Sequence, residues 1–140
     1  MIKCLAIDDE PLALRQIVEY IRKTSFLELA GQCESAMRAV DFLEKNRVDL
    51  MFVDINMPDL NGMDFVKSLE NPPAIIFVTA YSEYALEGFR VDAIDYLLKP
   101  ISYGDFLKSV NKAKVWFEKH QQKADEVKSN KDFLFIKSEY

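Results

Sequence analysis

Leu50, Met51, Phe52 and Val53 form an unbroken apolar run that ends in a single carboxylate, Asp54. A strand with one wet face alternates, so a short run apolar at every position has to be covered on both faces, as strands of parallel sheets are. Pro58 and Gly62 mark the turn region that follows, which puts Asp54 at the strand's carboxyl end. In open α/β sheets that edge is where ligands bind, so a carboxylate there is a candidate for chemistry.

The rest of the chain alternates in period. Residues 2–7 read as a first strand, and Asp8-Asp9-Glu10-Pro11 opens a helix with Pro11 near its first position, where a missing N–H costs nothing. Leu12, Ile17, Val18 and Ile21 are its expected apolar face. Residues 26–33 read as a second strand, and Ser35 caps a helix carrying Ala36, Ala39, Val40 and Leu43. A short helix is expected over 62–69, stopped by Asn71-Pro72-Pro73, then a strand over 74–78 with Thr79 at its end. Ser82 caps a predicted helix through Phe89, residues 93–98 form a fifth strand closed by Lys99-Pro100, and Ser102-Tyr103-Gly104-Asp105 starts a last helix with Phe106, Val110, Ala113 and Phe117 on one face. Right-handed crossovers between such elements give a doubly wound, five-stranded parallel sheet, α/β in class. Residues 124–131 read as a polar linker, and 132–140 resume a strand-like pattern that looks like the start of another domain.

Composition narrows the chemistry. With 140 residues, 49% of them hydrophobic, the chain suits one domain with a real core. The net charge of −5 argues against a broad basic face for nucleic acid or an anionic membrane. No apolar run approaches the roughly 18 residues of a transmembrane helix, and charges interrupt the start too early for a secretory signal, so a cytoplasmic protein is expected. Cys4 and Cys33 read as buried free thiols. His120, the only histidine, lies in a charged helical segment, which disfavours a histidine-based triad or a multi-histidine metal site.

If the strand order is 2-1-3-4-5, as in flavodoxin-like folds, the topological switch lies between the first and third strands, which brings Asp8, Asp9 and Asp54 together. Their repulsion calls for a cation, and an oxygen-only set with water access suits Mg²⁺ better than zinc. Thr79 and Lys99 end the next two strands on the same edge, a hydroxyl and an ammonium able to hold an anion. The ensemble fits phosphoryl transfer to Asp54, with Thr79 and Lys99 binding phosphoryl oxygens.

Asp8-Asp9, then Asp54-Ile55-Asn56-Met57-Pro58 with Gly62, then Thr79-Ala80, then Lys99-Pro100, in this order on one periodic scaffold, resembles the receiver domain of two-component response regulators over residues 1–123. Tyr84-Ala85-Leu86-Glu87-Gly88-Phe89 leading to Asp95-Tyr96-Leu97-Leu98-Lys99-Pro100 further resembles receivers joined to a LytTR-type DNA-binding domain, for which 132–140 would be the beginning. The resemblance implies that Asp54 accepts phosphate from a sensor histidine kinase. It also implies that Asp9, Asp54 and the Asn56 backbone carbonyl ligate Mg²⁺ with Asp8 acting directly or through water. Thr79 and Lys99 would meet the phosphoryl group, the Lys99-Pro100 bond would be cis, and Tyr96 would turn inward with Thr79 and alter the surface of the fourth helix, fifth strand and fifth helix. That surface could pair in a homodimer, and DNA would be bound only through the further domain. Such a protein is a signalling phosphoacceptor rather than an enzyme.

Each residue alone has a plainer explanation, since Asp8 and Asp9 suit a helix cap, Lys99 a solvated surface and Tyr96 an ordinary half-buried strand. Their joint placement reverses those odds. A haloacid-dehalogenase-like phosphatase would carry its nucleophile after the first strand in an Asp-x-Asp motif, which Asp8-Asp9-Glu10-Pro11 does not match. A flavin carrier would place its phosphate loop where this chain has two carboxylates that repel phosphate. The remaining alternative is a receiver-like interaction module that is never phosphorylated.

Overall fold

A computed structural model describes the backbone of residues 1–80 and 92–138, and side chains within that span up to Gln121. The strands are β1 (Ile2–Ile7), β2 (Leu27–Cys33), β3 (Leu50–Asp54), β4 (Ala74–Thr79) and β5 (Asp95–Leu98). The helices are α1 (Pro11–Lys23), α2 (Ala36–Lys45), α3 (Gly62–Lys67) and α4 (Tyr103–Ser138). All strand pairs are parallel, as the alternation of periods implies, and the order is β2-β1-β3-β4-β5. The helix expected over 82–89 lies outside the described residues.

The unbroken apolar run of β3 has a direct cause in the strand's period of two. Leu50 and Phe52 enter one core with Cys4, Ala6, Ile76 and Val78, against α1 and α4. Met51 and Val53 enter the other with Leu5, Ile7, Ile75 and Phe77, against α2 and α3. Phe106 of α4 stacks on Phe52 with ring centroids 5.2 Å apart and meets Tyr20 of α1 at 5.3 Å. The Tyr20 hydroxyl donates to the Ile101 carbonyl at 2.9 Å, which ties α1 to the loop after β5.

Caps agree with the sequence. Pro11 opens α1, Ser35 Oγ accepts from Arg38 N at 3.2 Å, and Ser102 Oγ accepts from Asp105 N at 3.1 Å. Two expectations are corrected. Leu12 is 77% exposed, and the buried face of α1 is Leu14, Ile17, Val18 and Ile21. At 100° per residue Leu12 stands about 140° round the helix from Ile17, off the stripe. The linker expected over 124–131 is helical, and so are residues 132–138 of the strand-like segment expected after it, because α4 runs on to Ser138. After Gly104 the chain has neither Gly nor Pro to stop a helix, and Phe133-Leu134-Phe135-Ile136 is a continuous apolar run whose period does not specify a strand.

Asp95 fastens β5 to α4. Its Oδ2 accepts from the buried Ser109 hydroxyl at 2.5 Å and meets Lys112 Nζ at 3.3 Å. Replacing Ser109 with Ala is expected to cost about 1–2 kcal/mol, read as a lower urea midpoint at unchanged slope.

Candidate functional site

The first three strands place the carboxylates. Asp8 directly follows β1 and Asp54 ends β3, adjacent parallel strands in register up to Ile7 opposite Val53. Both residues are 2% exposed. Asp8 Oδ1 accepts from the Glu10 N–H at 2.9 Å, which folds the turn back over the strand end. The loop after β3 is drawn in by α3. Gly62 N donates to the Ile55 carbonyl at 2.7 Å, and a Cβ at Gly62 would overlap the Asp54 carbonyl oxygen. Glycine is needed there to let the helix start touch the backbone of the site.

Lys99 is brought in by β5. Its backbone N–H donates to the Thr79 carbonyl at 2.8 Å, and the Lys99-Pro100 bond is cis, as the resemblance implied. The ammonium lies 2.9 Å from Asp8 Oδ2, 3.0 Å from Glu10 Oε1 and 3.5 Å from Asp54 Oδ1. Thr79 is fully buried at the end of β4. Tyr96 is half-buried one strand over, opposite Phe77 in register, and stacks on its ring at a centroid distance of 5.3 Å. Asn56 is exposed at the start of the loop after β3.

Oxygen atoms of Asp8, Glu10 and Asp54 all lie within 4.8 Å of one another. Glu10 is the member that the sequence reading did not select. Only the placement of Lys99 beside the run Asp8-Asp9-Glu10 marks it out. Asp9 stands outside that trio, but its Oδ1 and the Oδ2 of Asp54 are both shielded from solvent and accept no hydrogen bond.

Electrostatics make the site demanding. Burial, then the Asp8 charge and the contact with Asp9, push the Asp54 carboxyl up to about 8, against a smaller opposing pull from Lys99. Burial alone would lower the Lys99 pKa, but hydrogen bonds to Asp8 and Glu10 and the nearby carboxylate charges hold it above its ordinary value. Oxygen-only donors, two orphaned carboxylate oxygens and a carboxyl held against ionisation fit a hard divalent cation.

A doubly wound parallel sheet with paired acids after β1, an aspartate after β3, a threonine after β4 and a lysine after β5 defines a recognisable class. Residues 4–111 match the response regulator receiver domain, and the chain belongs to that family. Among its relatives are two curated regulatory proteins. It is 37% identical over 131 residues to the sensory transduction protein LytT of Bacillus anthracis, covering 91% of this chain and 52% of the relative. It is 43% identical over 103 residues to the transcriptional regulatory protein BtsR of Escherichia coli, covering 72% of this chain and 43% of BtsR. The chain thus spans about half the length of the curated relatives it matches. Similar solved structures include the response regulatory domain of mrkE from Klebsiella pneumoniae, at 31% identity and TM-score 0.75, covering 84% of this chain and 99% of that one. The receiver domain of AraT from Geobacillus stearothermophilus is similar at 34% identity and TM-score 0.75, covering 85% and 97%.

Proposed function

We propose that this chain is the phosphoacceptor of a two-component pathway, taking a phosphoryl group from the phosphohistidine of a sensor histidine kinase onto Asp54. The observation that carries the reading is the buried Asp54 carboxylate, with one oxygen facing Lys99 at 3.5 Å and the other accepting no hydrogen bond. An Asp54 oxygen forms the new bond to phosphorus as the bond from phosphorus to the kinase histidine nitrogen breaks and the nitrogen keeps the electron pair. Lys99 holds a phosphoryl oxygen by a charge-assisted hydrogen bond, and Thr79 lies on the same strand edge to receive another. Asp9, Asp54 and the Asn56 carbonyl would hold Mg²⁺, with Asp8 contributing directly or through water. When bound, Mg²⁺ offsets the negative charge that builds up on the phosphoryl oxygens.

The chain itself is a signalling phosphoacceptor, its only chemistry being self-catalysed transfer and loss of the phosphoryl group. The relatives LytT and BtsR are about twice its matched length, which supports an output role for a DNA-binding domain beyond this span. Tyr96, stacked on Phe77 two residues before Thr79 along β4, would carry the change to β5 and to a surface open to homodimer formation. A cytoplasmic setting belongs to this reading, and no helix among the described residues is long and apolar enough to cross a membrane.

The test is intact-mass detection of one added phosphoryl group after treatment with acetyl phosphate and Mg²⁺, with Asp54→Asn as the control. A wild-type chain that stays unlabelled under these conditions would reduce it to an interaction module. Asp9→Ala should weaken Mg²⁺ binding by about tenfold or more with the fold intact, checked by a Mg²⁺ titration of intrinsic fluorescence. Loss of an anionic ligand with an unpaired buried oxygen is the reason.

A further inference from the structure

The acidic trio contains one carboxylate that the phosphoacceptor reading does not use. Glu10 is the first residue before α1, its carboxylate lies 3.0 Å from Lys99 Nζ, and its side chain is 67% exposed. A lysine ammonium has three N–H donors. Here the ammonium faces three carboxylates, Asp8 at 2.9 Å, Glu10 at 3.0 Å in a hydrogen bond and Asp54 at 3.5 Å, so an arriving anion competes with them for it. One partner has to yield.

The three partners differ in how readily they do so. Asp8 is buried and already tied to the Glu10 N–H through its other oxygen, and moving it would leave a charge stranded out of water. Asp54 is the acceptor itself. Glu10 can turn into solvent, where water replaces the lost hydrogen bond at little cost. We infer that Glu10 is a positioning residue that holds Lys99 in the unphosphorylated state and sets how readily its ammonium is surrendered to the phosphoryl group. Glu10 acts through Lys99 and touches no reacting atom. Its exposed carboxylate would also repel an anionic donor, so both effects slow transfer.

The inference rests on the phosphoacceptor reading for its consequence, but the ion pair can be tested without it. The experiment is a double-mutant cycle of Glu10→Gln and Lys99→Met on the full chain, read in two ways. Without phosphodonor, thermal melting should show a non-additive Tm shift of about 1–4 °C between the two substitutions. With acetyl phosphate and saturating Mg²⁺, Glu10→Gln should label about 3- to 10-fold faster than wild type, and the gain should vanish in the Lys99→Met background. Additive melting shifts overturn the inference, as does a rate gain that survives removal of Lys99, which would mean a field effect on the donor alone. Should Lys99→Met fail to fold, Lys99→Gln, which also lacks the charge, closes the same cycle. A Mg²⁺ affinity lowered by Glu10→Gln as much as by Asp9→Ala would make Glu10 a metal ligand and also overturn it. Coupled melting with no labelling of the wild type would leave the Glu10–Lys99 pairing standing and overturn the phosphoacceptor reading.

Discussion

Asp54→Asn is expected to abolish acetyl-phosphate labelling and, in the absence of divalent cation, to make the protein more stable. The second effect follows from burial. The Asp54 carboxyl is held at about 8 in the fold against an ordinary value of 3.8, so between these pH values the folded chain keeps a proton that the unfolded chain has lost. Unfolding then releases a proton, and stability falls as pH rises across that window. The accumulated penalty is on the order of a few kcal/mol by the upper end of the window, equivalent to a melting shift on the order of ten degrees. Asparagine keeps the shape and removes the titration. Metal-free wild type should therefore lose stability from mildly acidic to mildly alkaline pH, while the variant shows a flatter profile, measured by thermal denaturation in chelator. Mg²⁺ binding only to the folded state should raise the wild-type Tm, by about 2.7 kcal/mol of stability at a hundredfold excess over Kd. A wild type as flat as the variant would mean that Asp54 is ionised in the metal-free fold.

Gly62→Ala is expected to damage the site more than its size suggests. The added methyl would overlap the Asp54 carbonyl oxygen and lie 3.0 Å from Ile55 Cα, both backbone atoms that cannot swing aside as a side-chain tip could. Either α3 moves out, breaking the Gly62 N–H bond to the Ile55 carbonyl, or the end of β3 shifts. Overpacking of this kind costs about 1–3 kcal/mol. A displacement of Asp54 by about 1 Å would cost the transfer about a hundredfold in rate, because the reaction depends on in-line placement. The two readouts separate the cases, with urea melts reporting the strain and labelling kinetics reporting the shift. A variant that is destabilised yet labels at the wild-type rate would place all the accommodation in α3.

Much of this was legible because each part had a local cause. The double coverage of β3 was readable in Leu50 to Val53, since only a strand between two cores has no polar position. The acids, Thr79 and Lys99 were readable because strand ends in this topology share one edge. Glu10 was not, since an exposed glutamate in a helix-opening turn resembles a surface residue until Lys99 is placed beside it. Leu12 misled because four apolar residues within about three turns were taken as one stripe, when the angular spacing excludes the first. The continuation of α4 was hidden in residues whose local pattern suits either period, and where nothing in the sequence forbids a helix its continuation decides.

The alternation along β5 divides the strand between two mechanical duties. Asp95 and Leu97 face α4, where Ser109 and Lys112 grip the first and the core beside α1 takes the second. Tyr96 points to the opposite face, against Phe77. A strand pinned on one side in this way cannot slide, so any response of Tyr96 has to run through its side-chain torsions. In an isotope-exchange experiment the amides that bond β5 to β4 should exchange as slowly as those of the core strands, while the Tyr96 ring reports motion on a far shorter timescale.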